Sequence, residues 1–315
     1  MANKLGIRNI FFVYFCASLT ASHARAGLDV NVTFQDPGGT NAAYHDRIRD
    51  AMRDAAAAWG RYIETEPVTL QIQLNFTSES TASAGNLSHR FDSVIGGVAT
   101  YEVGAIIKLT TGEDINFGAY DAVFNIGLNW LTNMIWWNPA PGSPSPPPAG
   151  KIDSHYVFMH EIGHILGFAS YRENSGRLPI FNGSPYQTTF DAHTSMLGGN
   201  LYFTGDAAMH AHGGQPVPLT FGNFSHVGNS SASGRPGSDL VNDVMNGVVS
   251  RSIRYELSAL DVAILEDLGY TLSAEGRNLV YGRSAVPDPA SIIALAVGLS
   301  GLGACRAASR RRRAA

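Results

Sequence analysis

The segment that most restricts how this chain can fold is His160-Glu161-Ile162-Gly163-His164, continued by Ile165-Leu166-Gly167-Phe168. Val157, Phe158, Ile162, Ile165 and Leu166 form an apolar stripe at helical spacing, so the segment reads as a buried helix. Asp153 or Ser154, just after a Pro/Gly-rich stretch, is its expected N-cap. Two histidines and a glutamate in such a helix are costly unless a partner compensates them, and a metal ion is such a partner. Residues four apart share a helical face, so both imidazoles reach one ion while Glu161 borders its open side. Zinc suits this donor set, since it accepts neutral imidazoles and holds three protein ligands with one position left open.

The chemistry follows from the spacing. In an H-E-x-x-H helix the glutamate is placed to take a proton from a water as it attacks a peptide carbonyl, which makes Glu161 the expected general base. A purely structural site has no use for a base there.

The two ends of the chain bear on location. Lys4 and Arg8, an apolar run over residues 10–19 and Ala24-Arg25-Ala26 fit a secretory signal covering residues 1–26. At the other end Val286-Pro287-Asp288-Pro289 precedes an apolar run over residues 290–305, followed by Arg306 and Arg310 to Arg313. That run is just long enough to span a membrane, and the arginines hold its end in the cytoplasm. The tail, residues 286–315, resembles the PEP-CTERM sorting signal of Gram-negative bacteria, with Asp288 where glutamate is usual. The resemblance implies an exosortase-type processing enzyme as partner, transient anchoring in the inner membrane, and delivery to the cell surface or outside.

Removal of both ends changes the balance of charge. Three basic residues leave with the first segment, five basic and one acidic with the last, and 14 basic against 25 acidic remain, a net of −11. A body so acidic excludes nucleic acid as a partner and leaves the membrane to the tail alone. Cys16 and Cys305 are the only cysteines and both lie in removed segments, so a metal site has only His and carboxylate donors.

Residues 27–285 read as an α+β body in two parts, an N-terminal mixed sheet with the active-site helix (27–169) and an irregular, loop-rich part with one helix (170–285). A strand is expected at 28–34, with no room for a folded pro-segment before it, then an amphipathic helix at 44–64 and a half-buried strand at 68–76. Residues 78–88 read as a polar loop, and 98–109 and 121–131 as further strands, the last able to continue into a helix. Six prolines between residues 138 and 150 mark an exposed loop before the metal helix. Gly167 should end that helix. The 58 residues between Gly167 and His226 read as an insertion with one or two hairpins that walls a cleft.

A third metal ligand must come from outside the helix. His155 points to a different face, and His193, His210, His212 and His226 lie in Gly-rich and polar sequence, while Glu173 and Asp191 are carboxylate alternatives. Spacing alone does not choose among them.

The motif from His160 to Phe168 resembles the leishmanolysin-type branch of the metzincins. In metzincins with the short signature a ligand follows Gly167 by three residues, and here that position is Ser170. In the leishmanolysin-like branch a long insertion precedes a third histidine in a Ser-His context, and Ser225-His226 matches it. Met245 then corresponds to the Met-turn methionine, an apolar floor beneath the metal. The run Leu257 to Tyr270, ending Asp-Leu-Gly-Tyr, is similar to the helix that follows that turn. The resemblance implies a zincin-like fold and a zinc metalloendopeptidase in which His160, His164 and His226 hold Zn2+ and Glu161 is catalytic. Its partners would be protein or peptide substrates. The alternative is a zinc-stabilised surface or matrix protein without peptidase activity.

Overall fold

The computed structural model describes residues 27–138 and 145–282. The expected signal (1–26) and sorting tail (286–315) lie outside the described residues. Among these, no helix is long and apolar enough to cross a membrane.

The chain is α+β. The first half runs β1 (Leu28–Gln35), α1 (Ala42–Gly60), β2 (Val68–Thr77), β3 (Ala82–Asn86), β4 (His89–Ile95) and β5 (Val98–Val103). It continues through α2 (Gly104–Thr111), β6 (Ala122–Gly127), α3 (Leu128–Asn133), β7 (Ile135–Trp136), β8 (Ile152–Asp153) and the motif helix α4 (Ser154–Ile165). The second half holds β9 (Ile180–Phe181), β10 (Ser184–Thr188), α5 (Thr189–Ala192), β11 (Thr194–Leu197) and β12 (Asn200–Phe203). After these come α6 (Asp206–Ala211), β13 (Val217–Pro218), α7 (Ala259–Asp267) and α8 (Ala274–Tyr281).

The main sheet has the order β1-β2-β6-β3, parallel except for the antiparallel edge strand β3. Its strands alternate strictly. Leu28, Val30, Val32, Leu70, Ile72, Leu74, Phe124 and Ile126 face inward and are buried. The opposite face carries polar side chains joined across strands, Asn31 to Gln71 (2.7 Å) and Asn75 to Asn125 (2.9 Å). A mostly parallel sheet normally has both faces covered, and here hydrogen-bonded amides take the place of a second helical layer.

Helices α1 and α4 cover the inner face. Trp59 of α1 is fully buried, and its indole N–H donates to the Met159 carbonyl of α4 (2.9 Å). The strands expected at 28–34 and 68–76 form within a residue of those bounds.

Three expectations change, and the strand over 121–131 takes the helical continuation allowed for it. The helix expected over 44–64 stops at Gly60, because the chain then turns to pair Ile63 with Leu272, and the Tyr62 carbonyl accepts from Ser273 N–H (2.9 Å). The polar loop over 78–88 contains β3, whose Ala-Ser-Ala-Gly-Asn sequence has no apolar alternation and becomes a strand by pairing with β6. The strand over 98–109 splits at Gly104 into β5 and α2, where Thr110 and Thr111 hydroxyls donate back to the Ile106 and Ile107 carbonyls. The strand over 121–131 ends at Gly127 and continues as α3. In α2 the β-branched Ile106, Ile107, Thr110 and Thr111 favour strand locally and tertiary packing overrides them.

The second half does not stand apart. Strand β10 pairs in parallel with β5, giving a second sheet of order β4-β5-β10-β9, and β11, β12 and β13 form a third.

Candidate metal centre

Helix α4 starts at the expected cap: the Asp153 side chain accepts from His155 N–H (3.1 Å). Asp153 also takes an ion pair from Arg254 (2.7 Å), which ties the start of the helix to the C-terminal part of the chain. The helix ends at Ile165, and Gly167 follows at φ +118°, a conformation L-residues avoid.

His160, His164 and His226 come together although 62 residues separate the last two. Their Nε2 atoms lie 3.1 Å apart in every pairing. Each Nδ1 faces a backbone carbonyl: Val244 for His160 (2.7 Å), Phe168 for His164 (2.7 Å) and Asn223 for His226 (3.3 Å). A carbonyl only accepts, so each Nδ1 carries the proton and each Nε2 is left with a lone pair. Three lone pairs pointed at one another repel, and a cation between them removes the repulsion.

The separation fits a metal. Tetrahedral coordination at a Zn–N distance of about 2.05 Å puts nitrogens about 3.3 Å apart. Burial pushes the His160 pKa down to about 3, helped by the neighbouring His164. Burial also lowers His164, and it lowers His226 well below the usual range with His164 and His160 adding to it. All three are therefore held neutral, the form that binds metal. These three buried histidines can hold a metal ion.

The other candidates lie elsewhere. His155, His193, His210 and His212 do not join the cluster, nor does Glu173. Asp191 is buried in a different role. Its carboxylate accepts from Ser170 Oγ (2.6 Å) and Tyr171 N–H (2.9 Å), fixing the turn after α4. Ser170, at the short-signature ligand position, thus bonds to Asp191, and its N–H donates to Ser225 Oγ (2.9 Å) beside His226.

Met245 is fully buried under the cluster, against Gly163. A Cβ at Gly163 would lie 3.0 Å from Met245 Cε and overlap its sulfur, so any larger residue here requires the Met245 side chain to shift. The turn is knitted to the ligand segment: Val227 N–H donates to the Met245 carbonyl (2.9 Å) and Asn246 Nδ2 to the Val227 carbonyl (2.8 Å).

A carboxyl pair stands behind this turn. Asp243 accepts from Met245 N–H (3.0 Å) and from Ser258 Oγ (2.7 Å), while Asp261 accepts from Ser258 N–H (2.8 Å) in the capping box of α7. Burial raises the Asp261 pKa well above the usual carboxylate range, and the nearby Asp243 raises it further. A folded-state value above the unfolded one means that the native protein binds the extra proton. The resulting stability is complete below about pH 4 and is lost as pH rises through the folded-state value. Asp261→Asn, which cannot ionise, is expected to flatten this decline, as measured by urea unfolding at pH 5 and pH 8. An unchanged slope would move the titration to another group.

Glu161 lies in the same cleft, 5% exposed. One carboxylate oxygen is held by the Ala84 N–H of β3, while Oε2 is buried without a partner among the described residues. Burial pushes its pKa up to about 8 against that hydrogen bond. A dication nearby would oppose the shift. Asn86, also on β3, donates to the His164 carbonyl (3.2 Å). The cleft measures about 530 Å³, and besides the three histidines and Glu161 its lining includes β3, Trp130, Tyr156, Tyr171, Asn223 and Val249.

The sequence carried no sign of the parts played by Ala84, Asn86 and Tyr171. Val244 was equally hidden, because it acts through its carbonyl and any residue there would serve. Comparisons with protein-family models, with curated proteins and with solved structures gave no match.

Proposed function

We propose that the chain is a zinc-dependent endopeptidase of zincin-like architecture, exported and similar to the leishmanolysin-type metzincins. The observation that carries this reading is the set of three Nε2 lone pairs 3.1 Å apart, beside a buried glutamate with a free oxygen in an open cleft. Three imidazoles without a thiolate suit zinc, with Met245 as an apolar floor.

A zinc ion bound there supplies a Lewis acid that polarises a carbonyl and makes water a stronger acid. The rest belongs to the chain. His160, His164 and His226 are oriented by their carbonyl partners, which keep every Nε2 free. Glu161 accepts the proton of the attacking water at its free carboxylate oxygen and passes it to the leaving amine. Ala84 N–H fixes that carboxylate. Among the described residues strand β3 pairs only with β6, so its other edge can take an extended peptide lying along the cleft.

The test is the purified chain with a library of unstructured peptides, with and without a chelator. Cleavage that the chelator stops and zinc restores is expected. A zinc-loaded protein that cuts no peptide would overturn the reading and leave a zinc-stabilised surface protein.

A further inference from the structure

The second sheet presents an aromatic face that runs out from the cleft. Register and strand alternation put Phe91 and Val94 of β4, Tyr101 of β5, Tyr186 of β10 and Phe181 of β9 on the same side. The opposite side is packed at its centre, where Gln187 Nε2 donates to Thr100 Oγ1 (3.0 Å) and both residues are buried, while Ile95 and Ile180 at its margins are exposed. On the aromatic side Phe91 is 51% exposed, Val94 62% and Phe181 66%. Exposed apolar residues scattered singly need no explanation, but a contiguous set does.

These rings are in contact with one another. Centroids lie 5.9 Å apart for Phe91 and Tyr101, 6.2 Å for Tyr101 and Tyr186, and 6.4 Å for Phe181 and Tyr186. The chain of rings reaches the cleft through Tyr171, which lies 6.0 Å from Tyr186 and itself lines the cleft. The Tyr171 hydroxyl is hydrogen-bonded to the His89 ring at the start of β4. Asp191 holds the Tyr171 backbone.

We propose that this strip is an accessory site for the substrate polypeptide, gripping an apolar, aromatic-containing stretch of the chain whose scissile bond lies at the metal centre. The proposal rests on the peptidase reading above. The occupant follows from continuity, because one residue, Tyr171, belongs both to the cleft and to the strip, so a polypeptide leaving the cleft past Tyr171 passes onto the rings. Rigid aromatic anchors give contact area at little entropic cost and dominate protein recognition energetics. Through His89, whose ring lies 5.4 Å from that of Tyr171 and two strand positions from Phe91, the strip extends roughly 12 Å beyond Tyr171, the reach of about four extended residues. Peptides that fill only the cleft would therefore miss it.

The test begins with β-casein, an unfolded protein, to map one cleavage site. Three peptides are then made: the octapeptide around that site, the octapeptide extended at both ends by eight residues with two phenylalanines in each extension, and the same extension with alanines instead. The wild-type chain is expected to cut the phenylalanine-extended peptide with kcat/KM at least about tenfold above the alanine-extended one, mainly through KM. In Phe91→Ser/Phe181→Ser that advantage should vanish while the octapeptide is cut as before and the melting temperature is retained. Equal kcat/KM for the two extended peptides, or an advantage that survives in the double variant, would overturn the proposal. So would a wild-type dimer that the double variant converts to a monomer, since the strip would then serve self-association. A zinc-loaded wild type that leaves the octapeptide and β-casein intact is a different failure: it removes the peptidase reading, and the accessory site goes with it.

Discussion

Glu161→Gln is expected to lower kcat by about 10²–10⁴-fold, the usual contribution of a positioned acid–base group, while leaving the bound metal in place. The amide is isosteric and its oxygen can still accept from Ala84 N–H, so the helix and the cleft rim keep their geometry. What it cannot do is take a proton. Burial already penalises the ionised carboxylate, and a neutral amide at this position removes that penalty. The variant should therefore melt no lower than the wild type in the absence of metal. Turnover, the ratio of metal to protein and a thermal melt on the same sample check all three. Full activity in this variant would take Glu161 out of the reaction.

His226→Ala is expected to weaken zinc binding by well over 100-fold, more than the 10–100-fold typical of losing a residue that merely orients a ligand. The two remaining donors sit on one helix and hold the ion from one side only. Stability should follow the metal. At a free zinc concentration about a thousand times the wild-type dissociation constant, binding adds about 4 kcal/mol to folding, and the variant forgoes most of that. The measurement is a melt with and without zinc, in which the wild type shifts upward and the variant barely moves. A variant that still binds zinc at the wild-type level would hand the third position to another residue. Among the described residues the Nδ1 of His226 meets the Asn223 carbonyl alone and its Nε2 the two helical histidines alone.

What could be read from the sequence depended on whether the information was local. The motif helix was legible down to its Asp153 cap, because apolar spacing and capping chemistry act within one turn. Strands β1 and β2 were legible for the same reason, each burying every second residue. A helix, α7, also lies within the run Leu257 to Tyr270, and its Ser258 cap was not foreseen. Strand β3 was not legible, since five small and polar residues become a strand only where β6 offers a partner and α4 a surface. Strand β4 was missed likewise, being exposed and broken by a bulge near Asp92, although its partner β5 falls within the strand expected over 98–109. At the metal centre two histidines were fixed by local spacing. The third was not: five histidines and two carboxylates competed on chemistry alone, and a family resemblance pointed to His226. The structure brings that residue to the cluster and leaves the others outside.

The meeting of His160 and His164 with His226 also has a topological side. Among the described residues there is no cysteine, so no covalent tie joins the segment around His226 to the motif helix. An ion shared by those three nitrogens would close a loop of about sixty residues, and closing so long a loop removes more freedom from the unfolded chain than closing a short one. The metal would then be the one long-range cross-link among the described residues. Unlike a disulfide, it forms without an oxidant and reverses whenever the ion is withdrawn. Resistance of residues 168–225 to nicking by an added protease should therefore track free zinc, even in a protein whose Glu161 has been silenced.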